Sequence, residues 1–319
     1  MKRVCVIGCG AIGSLYAAHL ARVAEVWGFV RRPEHADALN REGLRVSGGH
    51  EFHVTIKATT RAEELPECDL GIVATKATQV AQSMAEVGPR FDKGAVLSAQ
   101  NGLGSEEIIA TCTRGQVIRG TTFMSGTRHS DTHVQYELDT ATWLGPFEPR
   151  STPFSMVEQA ADLIIAGGLK AEALRDARPA QWSKLIFNAS VNGVSALTGL
   201  PHSPHFAEES QFSDLGHLLH ELIEEGKRVA AAVGVQLHED PWAMNKIGAA
   251  TNHPPSMLYD IRHQLPTEVD FLSGAIAREA ERAGVSAPLH AAVYRLIKGR
   301  EASWSFKDEN QPVPVQGKG

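Results

Sequence analysis

The sequence predicts an α/β chain: a doubly wound, mostly parallel sheet first, then an all-helical part. Three observations predict it. A short apolar run from Arg3 to Ile7 meets Gly8-Cys9-Gly10-Ala11-Ile12-Gly13 and then a helical stretch. Buried-type strands follow at 69–74 and 95–98. From Pro179 onward the apolar residues recur at helical spacing.

The elements are read in chain order. Residues 3–7 are rich in β-branched side chains, as a buried strand is. Ser14 to Val23 reads as a helix and Glu25 to Val30 as a second strand, a β-α-β unit of the size that binds one mononucleotide. Residues 117–145 contain three strand-like stretches, 121–124, 133–136 and 142–145, separated by turn residues. A helix from about Ser155 to Ala166 leads to Gly167-Gly168. Helices are then expected at 182–197, 211–233, 266–283 and 287–298. The change of texture puts a domain boundary near 175, giving units 1–175 and 176–304, with 305–319 as a loose polar tail.

Composition narrows the function classes. A chain of 319 residues is long for one core and comfortable for two domains. The net charge of -6 is spread without a long acidic or basic block, so no nucleic-acid or anionic-membrane surface is expected. No apolar run reaches the roughly 18–20 residues that a membrane helix needs. The N-terminal apolar stretch runs into glycines rather than a cleavage site, unlike a signal peptide. Cys5, Cys9, Cys68 and Cys112 are scattered, which argues against a disulfide framework or zinc site and for a reducing cytoplasm. The histidines have no metal-ligand spacing.

The glycine loop lies between a strand and a helix at the start of the chain, the context of a dinucleotide-binding, Rossmann-type motif. Gly8 suits the tight turn, Gly10 lets backbone approach a pyrophosphate, and Gly13 lets the helix pack against the sheet. The phosphates would rest on unpaired N–H groups of the loop 8–13, including those of Cys9, Ala11 and Ile12, at the helix N-terminus. An NAD site usually carries an acidic residue after the second strand to accept from the ribose 2′-hydroxyl. Here Arg31-Arg32 stands there. Two guanidiniums cannot accept that bond but match a 2′-phosphate in charge and shape, so NADP(H) is the expected cofactor.

In the helical half, Lys184, Asn188 and Asn192 are spaced to share one helix face. Their neighbours Trp182, Leu185, Ile186, Phe187 and Val191 are apolar, which puts the polar stripe inside a cleft rather than on open surface.

With these segments in order, the sequence resembles the ketopantoate reductase (2-dehydropantoate 2-reductase) family over nearly its whole length. The resemblance rests on Gly8 to Gly13, Thr75-Lys76 with Gln79-Val80, Gln100 to Gly104, the Lys184/Asn188/Asn192 helix, and Ser256-Met257-Leu258 with Asp260 and Thr267 to Asp270. It implies a Rossmann domain followed by a helical domain like that of 6-phosphogluconate dehydrogenase. It also implies NADPH-dependent reduction of a 2-oxo acid, with Lys184 as general acid and Glu268 orienting it. Asn101 would line the cofactor–substrate junction, with Lys76 nearby. Asn188, Asn192 and Ser256 would hold the substrate, and Arg31, with Arg32 as second candidate, would read the cofactor phosphate. Hydride arrival at a carbonyl drives charge onto oxygen, and a placed ammonium stabilises that charge and delivers the proton.

Ordinary readings stand beside these. Glu268 could be a helix-start acid, Ser256 a helix cap, Asn101 a turn residue and Lys76 a surface lysine. Leu265, Ser273 and Pro255 depart from the family pattern near the substrate rim. They put the identity of the 2-oxo acid in question, with a branched or aromatic substrate as the alternative. From another class, a non-catalytic NADP(H) sensor is opposed by the intact Lys/Glu/Asn set. The apolar helix faces would also serve a homodimer, without deciding between monomer and dimer.

Overall fold

The computed structural model describes residues 1–207, 214–250 and 254–306. The α/β class and the order of sheet and helices are as the sequence predicts. The first half runs β1 (Arg3–Ile7), α1 (Ala11–Leu20), β2 (Glu25–Phe29), α2 (Pro33–Glu42), β3 (Leu44–Gly48), β4 (Phe52–Val54), β5 (Lys57–Thr59), β6 (Leu70–Val73), α3 (Val80–Val87), β7 (Ala95–Ser98), α4 (Ser105–Cys112), β8 (Gln116–Thr122), β9 (Ser125–Ser130), β10 (His133–Leu138), β11 (Thr142–Pro146), α5 (Phe154–Ala166) and β12 (Ala171–Ala173). The second half runs α6 (Arg178–Thr198), α7 (Asp214–Ala232), α8 (Pro241–Ala249), α9 (Ser256–Arg262), α10 (Ser273–Arg282) and α11 (Pro288–Ser303).

Eight strands form the main sheet in the order β12-β11-β8-β7-β6-β1-β2-β5. Its pairings are parallel except β8 with β11. The central strands are buried on both faces: Val4, Cys5, Val6 and Ile7 of β1 have no exposure at all. That is why they read as unbroken apolar runs rather than alternating ones. Leu15, Ala18, Ala160 and Ile164 of α1 and α5 join one core layer, while Val80, Met84, Val87 and Ile109 of α3 and α4 join the other. Strand order reverses at β1, with β2 on one side and β6 on the other. A crevice outside the carboxyl ends of β1 and β6 is the position where such sheets bind ligands.

A second sheet, β4-β3-β10-β9, was not anticipated. Its inward residues Val46, Val134 and Tyr136 pack into the same core as α1. Its strands β3 and β10 lie far apart in sequence and pair parallel, Arg45 to His133 through Gly48 to Tyr136. Local alternation cannot reveal that pairing.

The helical half closes around Trp182, Leu185, Ile186 and Ala189 of α6, which pack with Leu219, Leu222 and Ile223 of α7 and with Ile276 and Val293. Two expectations change here. Residues 121–124 do not form one strand: β8 ends at Thr122, whose hydroxyl accepts from the Met124 N–H at 3.0 Å and turns the chain. The helix expected over 266–283 begins only at Ser273. Before it, the Thr267 N–H and hydroxyl donate to Glu301, and the Phe271 carbonyl accepts from the Leu103 N–H at 3.0 Å. Contacts with other parts of the chain thus claim backbone groups that a helix would use. Part of the helix expected at 211–233 and residues 307–319 of the expected tail lie outside the described residues. Among the described residues no helix is long and apolar enough to cross a membrane.

Candidate active site

The glycine loop leaves β1 with Gly8 at φ +91°. A side chain on Gly8 would meet Thr75 Cγ2 at 2.7 Å, and one on Gly13 would sit 1.9 Å from the Gly8 carbonyl oxygen. Both glycines are therefore demanded by the turn and by helix packing. At Gly10 nothing lies within 4 Å of where a side chain would point. The loop is closed on the protein side and open on the crevice side, as a phosphate cradle must be.

A cavity of about 680 Å³ extends from this loop. Gly8, Cys9 and Gly10 form its floor, Arg31, Arg32 and His35 stand at the β2 end, and Thr75 and Lys76 follow β6. Leu265 and Pro266 reach it from the helical half, so the departure at Leu265 faces this cleft. The Arg31 side chain is exposed and, among the described residues, makes no hydrogen bond or ion pair. Arg32 is already paired with Asp131.

The remaining candidates gather where the loops after β6 and β7 meet the helical half. Lys76 forms an ion pair with the buried Asp260 of α9 across the cleft. One residue on, the Ala77 N–H donates to Glu268 Oε1 at 2.7 Å. Burial pushes the Glu268 carboxyl above its ordinary range, opposed by the Ala77 N–H, Lys76 and the Asn101 amide. Asn101 lies in the loop after β7 and accepts from Asn188 Nδ2 at 3.3 Å. Gly102, at φ +91°, would place a side chain 2.1 Å from the Phe271 carbonyl oxygen, so the loop docks on the chain beside Glu268 only because it carries no side chain.

Helix α6 supplies the polar stripe. Its first turn is pinned by Gln181, which donates to Glu106 Oε1 at 2.8 Å and accepts from Arg119 at 3.2 Å. One turn further, the part-buried Lys184 donates to the Thr122 carbonyl left by the turn after β8, and its ammonium lies 5.4 Å from the Phe123 ring centroid. Burial lowers the Lys184 pKa to about 8, although Glu268 pulls the other way. Lys184 and Glu268 are neighbours in charge but make no direct ion pair in this structure: each is bonded to backbone instead.

Asn192 is buried and differs from the other members of the stripe. Its Oδ1 accepts from the Met257 N–H at 3.1 Å and from the Ser256 hydroxyl at 3.3 Å. It thereby satisfies a free N–H at the start of α9, and Ser256 is the first residue of that helix rather than its side-chain cap. Lys184, Asn188, Asn101 and Glu268 thus surround one junction and Asn192 and Ser256 form a linked pair beyond it, whereas Arg31 and Arg32 line the cavity, whose wall includes none of those six.

Three features lay outside the sequence reading: the Thr122 carbonyl, the Ala77 N–H, and Arg128 in the cavity wall. The first two are backbone groups with no sequence signature. Arg128 belongs to the unanticipated second sheet.

Residues 4–149 match the family described as Ketopantoate reductase PanE/ApbA, and residues 176–301 match its C-terminal counterpart. The chain belongs to the ketopantoate reductase family. A curated relative, the 2-dehydropantoate 2-reductase of Archaeoglobus fulgidus, is 28% identical over 302 residues, covering 95% of this chain and 99% of the relative. Among solved structures, a PanE/ApbA family ketopantoate reductase from Ralstonia eutropha superposes with TM-score 0.84 at 24% identity, over 96% of this chain and 100% of that one. D-mandelate dehydrogenase in a ternary structure with NADH and anilino(oxo)acetate shares the fold equally well, with TM-score 0.84 at 22% identity over 96% and 100% of the two chains. As in the ketopantoate reductase structures, a parallel-stranded domain is followed by a helical one.

Proposed function

We propose that the chain is an NADPH-dependent reductase of a 2-oxo acid, with 2-dehydropantoate, reduced to pantoate, as its first candidate substrate. The observation that carries this reading is the gathering of Lys184, Asn188 and Glu268, from the helical half, around Asn101 and Ala77 at the carboxyl end of the sheet. Residues 1–175 hold the cofactor and 176–304 supply the acid and the substrate contacts. The cradle fits a pyrophosphate, since Gly10 leaves room for backbone approach and the helix start offers free N–H groups. A bound nicotinamide cofactor supplies the hydride.

Each side chain then has a task. Lys184 Nζ faces the carbonyl oxygen as negative charge develops there and gives up its proton to form the hydroxyl. Its lowered pKa of about 8 makes it a better acid near neutrality than an ordinary lysine. Glu268, fixed through Ala77 N–H, keeps a negative charge near that ammonium, and Asn101 spans the junction. Asn188, Asn192 and Ser256 bind the anionic substrate by neutral hydrogen bonds, which add no fixed charge beside the acid. Arg31 and Arg32 bind the 2′-phosphate. The buried thiols of Cys5, Cys9 and Cys68 suit a reducing, cytoplasmic setting.

A second reading, a branched or aromatic 2-oxo acid, draws on the aromatic group beside Lys184. The Phe123 ring lies 6.0 Å from Phe187 and 6.2 Å from Trp143 between centroids. One experiment separates these readings: cofactor oxidation followed with 2-dehydropantoate and a panel of alkyl and aryl 2-oxo acids, each with NADPH and NADH. Preference for 2-dehydropantoate and NADPH supports the first reading. Preference for an aryl acid moves the chain to the second. Silence with every acid removes the reductase reading and returns the NADP(H)-sensor reading, and equal efficiency with both cofactors removes the NADPH preference.

A further inference from the structure

The β2 end of the cofactor cavity carries more positive charge than the Arg31-Arg32 pair accounts for. Arg128 belongs to β9 in the second sheet, yet its side chain lines the same cavity as Arg31, Arg32 and His35. Asp131, in the turn between β9 and β10, brings it there. A single carboxylate oxygen, Asp131 Oδ1, accepts from Arg128 Nη1 at 2.7 Å and also from Arg32 Nη2. His35 Nε2 bonds the Asp131 carbonyl oxygen at 3.1 Å, fixing the turn against the start of α2. Two guanidiniums are thus held together by one negative charge, with Arg31 beside them.

The cavity wall holds four cationic side chains, Arg31, Arg32, Lys76 and Arg128, against one carboxylate, Glu86. Lys76 is neutralised by Asp260. Asp131 can neutralise only one of the three arginines. Clustered guanidiniums repel one another unless an anion shares them, and a phosphate dianion accepts from several forks at once.

We propose that Arg128 is a third ligand of the cofactor's 2′-phosphate, delivered by the β9–β10 hairpin and positioned by Asp131. This rests on the NADPH reading above and deepens it: cofactor choice is set jointly by the β2 end and by a hairpin about a hundred residues later in the chain. The second sheet then has a function besides covering α1, since it carries one wall of the phosphate site.

The test is calorimetric binding of adenosine 2′,5′-bisphosphate and of adenosine 5′-monophosphate to the full-length protein and to Arg128→Ala and Arg128→Lys, with melting temperatures recorded for each. The wild type binds the bisphosphate more tightly. In Arg128→Ala that discrimination falls by about tenfold to a hundredfold, the size of a lost charged hydrogen bond. Arg128→Lys keeps the charge but loses the fork, and falls by a smaller factor. It carries the test if the alanine variant does not fold. Discrimination in the variants within about twofold of a discriminating wild type overturns the role of Arg128 and leaves the NADPH reading standing. A wild type that does not discriminate overturns the NADPH reading and this inference with it.

Discussion

At the scale of single residues, the proposed chemistry rests on Lys184. If its ammonium is the proton donor, the Lys184→Ala variant loses about two to four orders of magnitude in kcat for 2-oxo acid reduction, and a near-normal kcat removes the role. The sign of the pH dependence follows from its state. An acid works only while protonated, so kcat/KM for reduction holds below about 8 and declines as pH rises through that value. The Glu268 charge raises the Lys184 pKa, against the larger lowering by burial. Glu268→Gln keeps an acceptor for the Ala77 N–H but removes that charge, so the alkaline limb moves to lower pH. A profile that stays in place, or moves upward, shows that Glu268 does not tune Lys184. The sequence displayed both residues but not their partners, because the Thr122 carbonyl and the Ala77 N–H are backbone groups positioned by turns.

At the scale of elements, α6 places Lys184 and the Gln181 anchor places α6. Gln181→Leu leaves the buried Glu106 and Arg119 short of a partner, which costs about 1–3 kcal/mol. The expected outcome is a lower melting temperature together with a lower kcat, since the helix that carries Lys184 loses its register against α4 and β8. The loop after β7 is equally demanding. Gly102→Ala sets a side chain against the Phe271 carbonyl at a positive φ, a strain of about 1–3 kcal/mol, read by thermal unfolding. The elements themselves were legible unevenly. The strands β1, β6 and β7 and the helix α6 announced themselves because their apolar periods match their burial. Glu268 was expected at a helix start and lies instead in a turn, because Glu301 and Leu103 capture the backbone before Ser273.

The whole molecule is a cleft between a sheet and a helical bundle, tied across by Lys76 and Asp260. Asp260 is buried, whereas Lys76 is more than a third exposed, so the pair acts as a local tie rather than a large source of stability. Asp260→Asn weakens it, and small-angle scattering of the ligand-free variant is expected to show a larger radius of gyration than the wild type. An unchanged radius indicates that the remaining contacts between the halves, among them Gln181 with Glu106 and Arg119, Ala77 with Glu268 and Leu103 with Phe271, hold them together without this pair.

What the sequence by itself determined is what short-range chemistry encodes. The glycine loop, the double arginine after β2 and the Lys184-Asn188-Asn192 stripe are each written within a single turn, loop or helix face, where spacing alone puts side chains together. Their order along the chain also carried the family resemblance. Only the tertiary structure decided which of these groups meet. It set Asn101 against Asn188, used Asn192 to hold the start of α9, joined Lys76 to Asp260, and brought Arg128 to Arg32 through Asp131. Those contacts span dozens to nearly two hundred residues, and long-range pairing leaves no period in the sequence because it depends on how separate elements pack.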